Sequence, residues 1–339
     1  MTKMITPLLL SLVLFSCNHH NNAPDVSNIK MDLTLQRFDE DLFKTDSAHF
    51  AQHFDSLKIT YPIFSAVYLT QLQEFNPAVP PDTLNKYLGG FLNFYRDVFD
   101  SSELLYKDFS SYKKEIEEAF RFTKYYFPNY RLPSKIVTYI GPVEGTGSFL
   151  FTDDNTIAIG LEHYLGKNFP LYKTDRVEDV YADYISARFE PSYIVVNCMQ
   201  NIISDMYPEK ETEDPMVNRM VEQGKRLYLL SKFLPDKEDY KLIGYTEQQM
   251  KDCYKHEAEI WDMFIQNNLL HETDPDVIKN YVGESPKTQG LPEGAPGNIG
   301  SFAGWQIVKK YMEKNDKVTL QGLLSTDDDK IFQEAKYKP

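Results

Sequence analysis

Basic residues are in short supply in this 339-residue chain, which has 36 Lys and Arg against 50 Asp and Glu and a formal net charge of -14. A protein that binds nucleic acid needs a basic surplus to replace the counterions along the phosphate backbone. The composition therefore argues against a nucleic-acid partner. After the first sixteen residues no apolar run is long enough to cross a bilayer, and the sequence contains no internal repeat.

Cysteine is also scarce, because the chain has only Cys17, Cys198 and Cys253. The last two fall in segments with the apolar spacing of helices, where buried free thiols are common. An oxidising compartment would also permit a disulfide between them. The sequence leaves both alternatives open.

A complete zinc-peptidase HExxH motif is missing. His256 and Glu257 begin such a motif, but Ile260 stands where the second histidine is needed, and the pair His49 and His53 lacks the glutamate. One histidine does not hold a catalytic zinc, so we expect no metal and no cofactor. We interpret His256 and Glu257 as a polar cluster at the edge of a cleft, with a catalytic role as the alternative.

The N-terminus predicts export and lipidation. Residues 1–16 have a basic start at Lys3 and an apolar run from Leu8 to Phe15, which is typical of a secretory signal peptide. The sequence LFSC, ending at Cys17, resembles a bacterial lipobox, and the alternative is an ordinary signal peptide with a chance cysteine. We predict lipidation of Cys17 and a tether over residues 17–28. Asn18 resembles the sorting residue of lipoproteins that reach the outer membrane, and we expect the periplasmic face.

Three consecutive helices, predicted at Pro191–Tyr207, Met216–Leu230 and Glu247–Asn267, carry most of the unusual polar residues. Asn197 and Asn201 lie four positions apart, so both amides point to one side of the first helix. The second helix has Gly224 in its interior, where glycine is costly unless another backbone packs closely.

The rest of the chain predicts further helices around a small sheet. The β-rich segments Lys135–Ile140, Phe149–Thr152 and Thr156–Gly160 predict at least three strands, and Ile29–Phe38 is a fourth candidate. Asp82–Phe99 predicts a helix, and Ser102 is expected to cap the next one. We predict a single, predominantly α-helical α+β domain over residues 29–339.

Glu162 and His163 follow the last predicted strand directly. They are candidate site residues, and the alternative is a hydrogen-bonded structural pair. From Gly283 to Gly304 proline and glycine are dense. A long irregular segment inside a compact domain is usually functional.

Several stretches in this order resemble one family: RFDEDLF, FPNY, IGLEHYLG, GKRLYLLSKFLP, IGYTEQQM, HEAEIWDMF, GAPGNIGSFAGWQIVKKYM and the closing KYKP. They are similar to the gliding-motility lipoprotein GldB family of the Bacteroidetes, and the similarity spans nearly the whole mature chain. The resemblance implies an envelope lipoprotein, with a role in gliding in species that glide.

The family also resembles zinc peptidases of the gluzincin type, in which a small sheet precedes an HExxH helix and a second helix supplies a ligand glutamate. The resemblance implies that Asn197 and Asn201 replace the two histidines, Cys198 the general base and Gln223 the ligand glutamate, with Glu222 one step off that face. Neutral amides are poor zinc ligands, so the expected protein is a pseudo-peptidase. The segment around Trp305 is expected to line the same cleft.

These observations leave three hypotheses. The first is a non-catalytic lipoprotein whose cleft binds a peptide segment or an envelope protein, as a binding or scaffolding part of a gliding-related system. The second is an envelope hydrolase with a non-standard site near His163, His256 and Glu257. The third is a structural lipoprotein with no ligand in the cleft.

Overall fold

The computed structural model describes residues 23–45, 50–76, 79–210 and 214–339. The predicted signal peptide, Cys17 and His49 lie outside these residues. Within them the protein is an α-rich α+β fold with one small sheet, which confirms the predicted fold class. No helix of this part of the chain combines the length and apolarity that a bilayer crossing requires.

The sheet contains β1 (Thr34–Arg37), β2 (Lys135–Tyr139), β3 (Ser148–Phe151) and β4 (Thr156–Gly160), in the order β1-β2-β4-β3. The first three strands in this order run parallel, whereas β3 pairs antiparallel with β4 at one edge. All five residues of β4 are buried, while those of β3 are partly exposed. The strand β3 is therefore an accessible edge.

The α-helices cover the sheet and extend well beyond it. Their bounds are α1 (Phe38–Phe43), α2 (Phe50–Thr60), α3 (Phe64–Val67), α4 (Pro81–Phe94), α5 (Arg96–Tyr106), α6 (Ser110–Tyr126), α7 (Asp175–Glu178), α8 (Asp183–Ser186), α9 (Ile194–Met206), α10 (Met216–Phe233), α11 (Asp239–Ile243), α12 (Glu247–Lys255), α13 (Glu257–Gln266), α14 (Pro275–Ile278), α15 (Ile299–Lys314), α16 (Leu320–Ser325) and α17 (Asp328–Ala335). Buried apolar side chains from Leu33 to Tyr337 form one connected core cluster.

The helices α10 and α15 cross at very close range through two glycines. A Cβ atom at Gly224 would overlap the carbonyl group of Gly304 and lie 2.8 Å from the backbone nitrogen of Trp305. A Cβ atom at Gly304 would overlap the carbonyl oxygen of Met220. The expectation that Gly224 faces another backbone is confirmed, and the crossing fixes α10 against the C-terminal part of the protein.

Two predicted helices are interrupted. The backbone leaves the helical region at His256, so the third predicted helix is two helices, α12 and α13. The predicted Asp82–Phe99 helix ends at Phe94, and α5 begins after Tyr95. Ser102 does not cap a helix, because it lies buried within α5 and its hydroxyl donates to the carbonyl of Phe99.

The predicted strand Ile29–Phe38 is shortened to β1, because Phe38 already opens α1 and is fully buried in the core. The β2 and β4 segments and the β3 hairpin partner are confirmed to within one residue. The sheet places β3 beside α9, and this junction forms the site described next.

Candidate functional site

Two asparagines join α9 to the sheet edge. The amide nitrogen of Asn201 donates to the carbonyl oxygen of Ser148 in β3 at 2.9 Å and to the carbonyl oxygen of Asn197 at 3.0 Å. The amide nitrogen of Asn197 donates to the hydroxyl of Tyr164 at 2.9 Å. That hydroxyl also lies 2.8 Å from the Ser148 hydroxyl. Both predicted amides therefore lie on one side of α9, facing β3.

Three adjoining cavities, two of them lined by α9, lie on this side of the molecule, and together we call them the cleft. The first, of about 350 Å³, is lined by Asn197 and Asn201. The second, of about 290 Å³, is lined by Gln223, and the third, of about 400 Å³, lies towards α11 and α12. Arg188 and Glu284 line all three, so the cavities meet at these two side chains. Their combined size suits an extended chain or a small ligand.

The opposite wall of the cleft comes from residues 283–298. The irregular segment predicted to reach Gly304 ends here, because α15 already begins at Ile299. It has neither helix nor strand, but its ends are tied together, because the backbone N–H of Gly283 donates to the Asn298 side chain at 3.1 Å. The hydroxyl of Thr288 donates to the carbonyl of Pro296 at 2.7 Å. The segment is therefore an Ω-loop with internal hydrogen bonds, and it lines the cleft.

Glu162 and His163 lie next to each other in a 3-10 turn that follows β4 directly. Both are buried, and Oε1 of Glu162 is 3.6 Å from Nδ1 of His163. Burial raises the pKa of Glu162 to about 8, and the nearby backbone N–H groups of Glu162 and Gly141 oppose this shift without forming hydrogen bonds of normal geometry. At neutral pH the carboxyl group is therefore mostly protonated.

The histidine of this pair is uncharged as well. Nε2 of His163 lies 2.8 Å from the carbonyl oxygen of Val143, and since a carbonyl only accepts, Nε2 carries the proton. Burial lowers the pKa of His163 to about 4. His163 lines the first cavity, whereas Glu162 is not among the residues that line the three cavities.

Glu222 and Gln223 point in different directions. Glu222 is buried and pairs with Arg219 at 3.0 Å and with Arg226 at 3.4 Å. Gln223 lines the second cavity, and its amide nitrogen lies 3.4 Å from Glu209. The structure thus places Gln223 on the side of the cleft and commits Glu222 to a charge network.

Three predicted site residues lie elsewhere. Trp305 is fully buried beneath Lys309, whose ammonium group lies 3.9 Å from the centre of a Trp305 ring. Glu257 accepts a hydrogen bond from the hydroxyl of Tyr337 at 2.6 Å, and His256 is half exposed beside Glu259. None of the three lines the three cavities of the cleft.

The described residues contain no cluster of three or more His, Cys, Asp or Glu side chains that could hold a metal ion. His53, from the other predicted pair, contacts the carbonyl oxygen of Asp41 through Nε2 at 2.7 Å. Cys198 and Cys253 are free and buried, and burial raises the pKa of both thiols. The disulfide alternative is therefore not realised.

Several cleft residues were not predicted. Gln200 and Ser204 follow Asn197 by three and seven positions on α9, so helical spacing alone could have indicated them. Arg188 and Glu284 are 96 positions apart in the sequence, and no local pattern links them.

Comparison with protein families identifies the chain. The profile of the family described as "Gliding motility protein GldB" matches residues 19–339. The chain belongs to the GldB family. This membership supports a gliding-motility lipoprotein that associates with a membrane. No curated protein and no solved structure matches the chain.

Proposed function

We propose that this GldB-family protein is an outer-membrane lipoprotein, anchored through Cys17 and facing the periplasm, that binds an extended segment of an envelope protein partner without hydrolysing it. Such a binding or scaffolding role would serve a gliding-related envelope system. The observation that carries the proposal is the cleft itself, which lies beside a sheet edge and is lined by neutral amides at Asn197, Asn201 and Gln223.

The edge strand supports binding of an extended chain. The carbonyl oxygen of Gly147 accepts from the backbone nitrogen of Gly160 at 2.8 Å, which sets the alternation of the β3–β4 ladder. The peptide groups of Ser148 and Leu150 consequently point away from β4. The Asn201 amide already donates to the carbonyl of Ser148. In the part of the sheet described, the backbone N–H and C=O of Leu150 remain available to a further strand.

The chemistry of the amide wall supports binding without hydrolysis. In the gluzincin-like arrangement that we propose, the positions of the two histidines and the ligand glutamate carry amides, which are poor zinc ligands. The position of the general base is Cys198, whose side chain is fully buried in the core, and burial raises its thiol pKa. These residues do not fit a catalytic zinc.

A variant that fills the cleft tests the proposal. Ser204 is exposed and lines the first two cavities, so Ser204→Trp is expected to abolish binding of ligand peptides with little effect on folding. The measurement is an array of overlapping peptides from envelope proteins, probed with the mature chain. Glu259→Trp, on an exposed face of α13, is the control and should bind as the wild type does. Equal binding by all three proteins, or no binding by any, would contradict the proposal.

Restoring the metal ligands tests the peptidase-like arrangement. The triple variant Asn197→His, Asn201→His and Gln223→Glu is expected to bind about one zinc ion per chain, because it supplies two nitrogen ligands and one carboxylate. The control is the double variant Asn197→His and Asn201→His, which should bind zinc more weakly than the triple variant. Elemental analysis after dialysis gives the stoichiometry. A triple variant without zinc would show that these positions do not converge as in gluzincins.

One observation favours the hydrolase alternative, namely that His163 both lines the first cavity and lies 3.6 Å from Glu162. The other two residues of that hypothesis make different contacts, His256 with Glu259 and Glu257 with Tyr337. The alternative is therefore reduced to the buried pair, in which His163 is neutral and could accept a proton only through Nδ1.

A further inference from the structure

We propose that Arg188 is the anchor for a carboxylate group of the ligand, and that Glu284 occupies this anchor in the free protein. The inference rests on the proposed peptide-binding cleft and specifies the chemistry that the cleft recognises. The carboxylate is either the C-terminus of the bound segment or an Asp or Glu side chain within it.

The contact between the two side chains has the geometry of an Arg–carboxylate fork. Nη1 of Arg188 donates to Oε1 of Glu284 at 2.9 Å, and Nη2 donates to Oε2 at 3.0 Å. Two parallel hydrogen bonds of this kind give both affinity and orientation. Since both residues line all three cavities, a carboxylate is already bound at the centre of the cleft.

The backbone makes room for the guanidinium group. Gly244 has a φ of 81°, in the left-handed region, and a Cβ atom there would lie 2.6 Å from Nη1 of Arg188. The segment that carries Arg188 is held in place, because the backbone N–H of Gly166 donates to the carbonyl oxygen of Phe189 at 2.9 Å. The backbone beside Arg188 is thus held in place, and 23% of the Arg188 side chain is exposed.

Glu284, in contrast, can leave at little cost. Its side chain is 56% exposed, so it remains hydrated once it turns away from Arg188. The ends of the Ω-loop are fixed independently of this contact, because Asn298 binds Gly283 and the hydroxyl of Tyr245 donates to the carbonyl of Gly297 at 3.0 Å. The loop therefore keeps its position while a ligand carboxylate displaces the Glu284 side chain from Arg188.

The surrounding charges favour a carboxylate over a phosphate. The other cations of the cleft are already paired: Lys167 with Glu190, Lys241 with Glu238 and Arg226 with Glu222. Among the described residues of the cleft, a phosphate group with two negative charges would find only one free cation, Arg188, after it displaced Glu284. A single negative charge on a planar group, as in a carboxylate, matches the fork.

A small probe tests the anchor without any long ligand. N-acetylglycine carries one free carboxylate, and N-acetylglycinamide is the matched probe without it. Arginine side-chain NMR of the mature chain should show a shift of the Arg188 signal with N-acetylglycine only. In Glu284→Ala the affinity for N-acetylglycine should rise about tenfold. This is the factor expected if the Glu284 carboxylate is bound to Arg188 in about nine-tenths of the wild-type molecules.

The control is Glu313→Ala, which removes an exposed carboxylate outside the three cavities, one that pairs with Lys310. It should leave the affinity for N-acetylglycine at the wild-type value. An Arg188 signal in Glu284→Ala that responds to neither probe, or to both equally, would overturn the carboxylate anchor.

Peptides that the cleft binds distinguish the source of the carboxylate. Each is compared with its C-terminally amidated form and with a form whose Asp and Glu residues are replaced by Asn and Gln. Loss of binding on amidation identifies the C-terminus, and loss on the second change identifies an acidic side chain. Peptides that bind equally in all forms would overturn the anchor and leave the proposed cleft intact, whereas a cleft that binds no peptide would contradict the proposed function alone.

Discussion

Replacing Gly304 with alanine is expected to lower the free energy of unfolding by about 4 kcal/mol, because the new methyl group must separate two helix backbones. The atom that it would meet is the carbonyl oxygen of Met220, which cannot rotate away as a side chain can. The crossing of α10 and α15 joins the amide wall of the cleft to the C-terminal helices. Urea unfolding followed by circular dichroism measures the loss.

Gly90→Ala is the matched control. Gly90 also lies within a helix, α4, but a Cβ atom there would find nothing within 4 Å. This substitution is expected to raise the free energy of unfolding, by up to about 1 kcal/mol, through helix propensity alone. If both variants changed stability equally, the close crossing would not be the reason why glycine occupies position 304.

Replacing Glu162 with glutamine is expected to remove a large decrease in the free energy of unfolding that the wild type shows as the pH rises. The pKa of Glu162 is raised from 4.5 to about 8 by burial, so the folded protein holds a proton that the unfolded chain releases. The stabilisation by this proton is complete below pH 4.5 and is lost as the pH rises through 8. The total loss is about 5 kcal/mol at 1.36 kcal/mol per pKa unit.

The measurement is urea unfolding of wild type and Glu162→Gln between pH 6.5 and 9. His163 does not contribute in this window, because its pKa is lowered to about 4 and its effect begins only below 6.5. The variant should gain about 2 kcal/mol on the wild type between pH 6.5 and 9, because the rest of the loss falls below pH 6.5. Glu118→Gln, at an exposed carboxylate, should follow the wild type. Parallel curves for wild type and Glu162→Gln would show that Glu162 is ionised in the folded protein.

Local patterns predicted much of the fold. The α-rich class, the strands β2 to β4 and the common side of Asn197 and Asn201 all follow from periodicities of two and of 3.6 residues. These periodicities did not predict the helix breaks at Tyr95 and His256, because both residues lie inside segments with continuous helical spacing. Tertiary packing decides where such helices turn.

Less of the candidate site than of the fold could be predicted from the sequence. The peptidase resemblance implied that the segment around Trp305 lines the cleft, but α15 turns the Trp305 ring into the core. The pairing of Arg188 with Glu284 depends on a contact between distant segments that no local pattern reports. Helical spacing was the better guide, as with Asn197 and Asn201, whose amides lie on one side of α9.

The anchor and the edge strand act on the same ligand in this account. Arg188 fixes a charged group at the meeting point of the cavities, and Leu150 of β3 has backbone groups that point away from β4 and can pair with an extended chain. An anchored carboxylate sets the direction in which the segment runs. Binding would then combine a charge-assisted contact with sequence-tolerant backbone hydrogen bonds.

The most direct test of binding without hydrolysis is mass spectrometry of a peptide mixture after incubation with the mature chain at neutral pH, with zinc offered. The account predicts that peptides retained by the protein are recovered intact. New cleavage products that appear with the wild type and disappear with Glu162→Gln or His163→Ala would contradict it and establish the buried pair as a hydrolytic site.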